Sequence, residues 1–143
     1  MPDPTPQVPY ARTVTMLEDF RTVLSRLRKA LTAQGFRTYT EFAVSDELRP
    51  QLGEEFEDYL VLGIGVPEIT AQVLRTDRNV GVLLPLHLVI RSTVDGTLVQ
   101  VIDPGTLMLL SRMEALTPTL AESTRRVERV LHALSTGRED PVG

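Results

Sequence analysis

This chain reads as an α+β protein, and three observations carry that reading. Two long stretches place apolar residues three and four apart, the spacing of one helix face. Shorter runs rich in Val, Ile, Leu, Thr and Tyr are bounded by Gly, Pro and Asp, as strands are. Asp95-Gly96 lies between two such runs and is the strongest short hairpin signal.

Element by element, Tyr10 to Val14 reads as a short first strand. Thr15 and Glu18 make a Thr-x-x-Glu capping box. Leu17, Phe20, Leu24, Leu27 and Leu31 then line one face of a helix, and Gly35 stands where a glycine ends it. Phe36 to Val44 is expected as a strand, Ser45 to Gly53 as a helical turn broken by Pro50, and Phe56 to Ile64 as a second strong strand. Pro67 suits the first position of a helix running to Arg75, because its missing N–H has no helical acceptor there. Val82 to Thr93 and Thr97 to Ile102 form the hairpin pair, with Pro85 marking a strand start, bulge or edge. Asp103-Pro104 opens a short helix to Arg112. Thr117-Pro118 opens the last one, striped by Leu120, Val127, Val130, Leu131 and Leu134 and ended by Gly137. The order is β-α-β-β-α-β-β-α-α. Residues 1–8 are expected as a flexible lead-in, 9–136 as one domain and 137–143 as a loose tail.

Composition excludes much. The chain has 143 residues, 42% hydrophobic and 24% charged, within globular norms. Its net charge of −4 disfavours general nucleic-acid binding. The basic groups Arg26, Arg28, Lys29 and Arg125, Arg126, Arg129 fall on helices and read as solvated faces. With no cysteine there is no disulfide, thiolate nucleophile, iron-sulfur cluster or cysteine-bound zinc, and two histidines are too few for a three-histidine zinc site. No run reaches the roughly 20 apolar residues of a membrane helix. The first residues, MPDPTPQVP, lack the basic and apolar regions of a signal peptide. A soluble cytoplasmic protein without metal or cofactor is expected.

Several pieces occur together in a specific order: Gln34-Gly35-Phe36, Tyr39-Thr-Glu-Phe, Leu48 to Gly53, Tyr59 to Gly63, and Pro67. Ala71 to Leu74, Gly81 to Pro85, Val89 to Arg91 and Ile102-Asp103-Pro104 continue the series. In this the chain resembles the domain of unknown function 302 family over roughly residues 9 to 135. The resemblance implies an antiparallel sheet with helices packed on one face, like the TATA-binding-protein fold. It does not imply DNA binding, because function resides in sites rather than folds. Relatives commonly carry Ala-Cys-Asn-Pro where this chain has Gly63-Ile64-Gly65-Val66-Pro67, so any thiol chemistry of relatives is excluded here.

Each candidate site has a structural rival. Gly63, Gly65 and Pro67 could hold a ligand on helix-start amides, but Pro67 removes a donor and Glu68 would repel an anion. Glu54, Glu55, Glu57 and Asp58 lack the spacing of a calcium loop. His87 could work with Glu41 as a proton-transfer pair, or with Pro85 at a ligand site; a lone strand histidine is more often a packed or surface residue. His132 belongs beside the last helix stripe. No Gly-x-Ser-x-Gly elbow, Walker loop or dinucleotide fingerprint is present.

The hairpin carries one further expectation. With Asp95-Gly96 as a two-residue turn, Ile90 faces Val101 and Ser92 faces Val99 on an apolar side fit for the long helices. The other side pairs Thr93 with Leu98, Arg91 with Gln100 and Val89 with Ile102. Val89, Arg91, Leu98 and Ile102 are too apolar for a face fully open to water. A second copy of the chain is the simplest cover, and Ser45–Gly53 or the N-terminal arm is the rival. The expected function is a non-enzymatic module that binds a small apolar ligand or another protein as a homo-oligomer. The alternative is a small metal-independent enzyme using His87 with Glu41.

Overall fold

A computed structural model describes residues 7–136. The lead-in before residue 7, the tail 137–143 and the helix-ending role of Gly137 lie outside the described residues. The architecture is α+β: a five-stranded antiparallel sheet with its helices on one side. The strands are β1 (Ala11–Met16), β2 (Arg37–Ala43), β3 (Tyr59–Gly65), β4 (Leu86–Ser92) and β5 (Thr97–Ile102), arranged β1-β5-β4-β3-β2. The helices are α1 (Phe20–Ala33), α2 (Val44–Leu52), α3 (Pro67–Thr76), α4 (Gly105–Ser111) and α5 (Thr117–Thr136). Alternation sends Leu62, Leu88, Ile90, Val99 and Val101 to one side, where α1 and α5 bury them completely. Among the described residues no helix is long and apolar enough to cross a membrane.

Local corrections to the sequence reading trace to sheet pairing. The expected capping box does not form. Thr15 and Met16 pair with Leu98 and Thr97, which prolongs β1 and delays the helix. Asp19 caps α1 instead, its carboxylate accepting from the Thr22 N–H at 2.8 Å. Glu18 is free to meet Arg26, also at 2.8 Å. Leu17 therefore falls outside the helix and is 85% exposed, and the buried stripe is Val23, Leu27, Ala30 and Leu31. The last helix buries Leu120, Val127, Val130 and Leu134 as expected, and adds Ser123 and Ala133.

The turn expected to break at Pro50 is the continuous helix α2, with Pro50 inside it. One lost backbone donor so near the end is tolerated because the start is anchored. The Ser45 hydroxyl bonds the Tyr59 N–H at 3.2 Å and its carbonyl at 3.4 Å, and Gly53 ends the helix at φ 95°. The following strand starts at Tyr59 rather than Phe56. The long strand expected over Val82–Thr93 is shorter. Arg78–Leu83 forms a 3-10 turn capped by Asp77, a cis Leu84–Pro85 bond follows, and β4 begins at Leu86.

The hairpin exists, but its loop has four residues. Ser92 pairs with Thr97, Arg91 with Leu98, Ile90 with Val99 and Val89 with Gln100. The Thr93 N–H donates to the Gly96 carbonyl at 2.9 Å, and the Gly96 N–H to the Thr93 hydroxyl at 3.1 Å. The reason lies in β1. Its Met16–Leu17 backbone passes so close to Gly96 that any Cβ there would collide with it. Gly96 is thus required for close approach of a third strand, not for a two-residue turn. The register moves by two residues, an even number, so every side chain keeps its expected face.

Candidate functional site

The side of the sheet away from the helices is the candidate site. Register lays its residues out in rows. Phe42, Val61, Val89, Gln100 and Thr13 cross all five strands in one row. Tyr59, Arg91, Leu98 and Thr15 make the next, and Thr40, Gly63 and His87 lie on the other side of the first. Phe42 is 46% exposed, Val61, Val89 and Ile102 are half-buried, and Leu98 is only 1% exposed. Leu98 is nonetheless outside the core cluster beneath the helices. The rival cover of the β5 residues by Ser45–Gly53 is not seen: α2 packs mainly against β3, which β4 separates from β5.

Val89, Arg91, Leu98 and Ile102 thus share one face, as their alternation predicts. Their pairing differs, because Arg91 meets Leu98 and Val89 meets Gln100. Glu41 and His87 are not brought together. A bulge at Tyr39 shifts β2 against β3, so Glu41 pairs with Leu62 and points to the helix side. There it accepts from Arg28 of α1 at 2.6 Å. His87 pairs with Gly63 and is exposed on the open side. Glu41 and His87 therefore face opposite sides of the sheet.

The glycine candidates are packed rather than vacant. A Cβ on Gly63 would meet the Thr40 hydroxyl and the Pro85 ring, and one on Gly65 the Tyr39 ring at 2.8 Å and the Thr70 hydroxyl at 2.9 Å. These glycines let side chains lie against the β3 backbone and leave no room for a ligand. Pro67 opens α3 with Glu68 in the first turn, as the dipole favours. Below this end of β3 is a crevice of about 20 Å³, lined mostly by apolar residues such as Ile69, Val73, Leu107 and Leu120. That is space for one water, against roughly 300 Å³ or more for a ligand pocket. Among the described residues no three His, Asp or Glu side chains converge as a metal site.

Electrostatics separate the two sides of the sheet. Glu41 is the sole carboxylate in the five strands and faces the helices, so the open side has none at any strand position. Arg91 is half-buried there, and among the described residues no acceptor holds its guanidinium. The shifted carboxyls lie elsewhere. Hydrogen bonds from Arg125 and then Arg126 hold Glu122 below its ordinary range, and Arg26 does the same for Glu18. Arg126 also donates to the Gln34 carbonyl at 2.9 Å, which ties α5 to the end of α1. Sequence reasoning missed the pairing status of Arg91, because whether a partner is near depends on register.

Comparison with known proteins agrees with this architecture. The family model described as Domain of unknown function DUF302 matches residues 12–134. The chain belongs to that family. A crystal structure of the uncharacterized conserved protein DUF302 from Bacillus stearothermophilus is similar with a TM-score of 0.80 and 23% identity, covering 87% of this chain and 98% of that chain. At this identity the likeness to the DUF302 structure shows a shared fold. Comparison with curated proteins gives no match.

Proposed function

We propose that this DUF302 protein is a non-enzymatic interaction module that works as a homodimer, with two copies meeting through their open sheet faces. The observation that carries this reading is the open face itself: Phe42, Val61 and Val89 lie side by side in one row, partly exposed, on the side without helices. A sheet side meant for water alternates to polar residues, and this one does so only in part. The size is suitable. Five strands of six or seven residues span roughly 24 by 22 Å, about 500 Å² in projection. Side-chain relief and flanking loops bring that towards the roughly 800 Å² per partner of a stable interface. A catalytic reading lacks support because no strand position on His87's side of the sheet carries a carboxylate and Glu41 faces the helices. The crevice beside α3, at about 20 Å³, is too small for a ligand larger than a water molecule.

The test is the mass of the protein in solution by light scattering across micromolar concentrations. Twice the chain mass is expected for the unsubstituted protein, and the single-chain mass for Val89→Asp with its helical circular-dichroism signal retained. A single-chain mass for the unsubstituted protein at high micromolar concentration overturns the proposal.

A further inference from the structure

We infer that the dimer is held in register by a reciprocal ion pair, Arg91 of each copy with Glu57 of the other. This rests on the proposed pairing of open faces and adds its polar contacts and the position of its two-fold axis. Arg91 is half-buried on that face without an acceptor among the described residues. A guanidinium brings five donors and stays charged, so covering it without an anion is costly. The facing sheet of a second copy cannot supply that anion, because no strand position on the open side carries a carboxylate. The anion must come from a segment flanking the sheet.

One such segment is at the same end as Arg91. Tyr59 pairs with Arg91, and the ladder runs one step further, the Ser92 N–H donating to the Asp58 carbonyl at 2.9 Å. Glu57 is the next residue outward. Asp58 is already engaged by Arg49 at 3.2 Å, whereas among the described residues no ion pair holds Glu57, which is half-buried. A cation and an anion, each without an ion-pair partner among the described residues, therefore lie close by register at one end of one face. A two-fold interface needs a patch that complements itself, and this one does so if the axis passes near the Tyr59–Arg91 pair. Each dimer then contains the Arg91–Glu57 contact twice.

The experiment is charge reversal followed by mixing. Arg91→Glu and Glu57→Arg should each weaken self-association at least tenfold in sedimentation equilibrium, since each sets like charges against each other twice. An equimolar mixture of the two variants should form a 1:1 heterodimer of nearly the original affinity, because both contacts are restored with reversed sign in one and native sign in the other. An ion pair within one chain cannot produce that rescue. Circular dichroism checks that each variant is folded, and Arg91→Gln and Glu57→Gln are milder versions in which a smaller loss of self-association is expected. Single variants that dimerise as the unsubstituted protein does, or a mixture that stays monomeric, overturn this inference and leave the dimer standing. An unsubstituted protein that is itself monomeric removes both.

Discussion

The two sides of the sheet are made by the same five strands and differ in what they ask of their residues. On the helix side Leu62, Leu88, Ile90, Val99 and Val101 are sealed beneath helices that include α1 and α5, and two charges carried by the strands are paired with those helices. Arg12 meets Glu128 at 2.8 Å and Glu41 meets Arg28 at 2.6 Å. On the open side the apolar residues are partly wet, the half-buried Arg91 has no acceptor among the described residues, and no strand position carries a carboxylate. The difference teaches that a charge pattern can distinguish a finished face from an unfinished one where hydropathy alone cannot. Leu88 and Val89 are both apolar letters in the sequence, yet the first closes the core and the second is only half-buried on the open face.

Neighbouring substitutions break the comparison most directly. Leu88→Asp places an unpaired carboxylate in the completely buried side and should cost more than about 4 kcal/mol, enough to abolish cooperative thermal unfolding. Val89→Asp, one residue on, should leave the melting transition in place and act on association. A Val89→Asp protein that also fails to fold would mean that its own chain covers the open face. Leu88→Ala offers a graded version and should cost about 2–5 kcal/mol by chemical denaturation.

A smaller effect concerns the margin of the helix side. Because Arg125 and Arg126 lower the Glu122 pKa on folding, its contribution is present above the unfolded value near 4.5. It is lost as pH falls through the lower folded value. Its side chain is 35% exposed, so solvent screening keeps the contribution below about 1 kcal/mol. The gap in melting temperature between the parent and Glu122→Gln should therefore be small at pH 7 and close progressively below about pH 4.5. A gap that widens in acid would refute the assigned sign. The smallest effect is expected at His87, exposed on the open side beyond the central apolar row. His87→Ala should stay within about 0.5 kcal/mol, or about 2 °C in melting temperature. A larger loss would show that His87 is covered in the native state.

Much was legible in the sequence because it depends on local chemistry and on periodicity. The helix stripes, the strand alternation, Pro67 at the start of α3 and the apolar parity of Val89, Leu98 and Ile102 all follow from spacings of two, three and four. The family likeness is written in short ordered pieces, and the excluded thiol chemistry in the absence of cysteine. What the tertiary structure alone decided are the relations between strands. The passage of β1 over Gly96 opened the hairpin and moved its register by two. Pairing of Thr15 and Met16 with β5 moved the helix start to Asp19. The bulge at Tyr39 put Glu41 and His87 on opposite sides, which ended the only catalytic pairing the sequence suggested. Each of these depends on which backbone lies beside which, and a single strand's sequence sets its own alternation without setting its neighbour's phase.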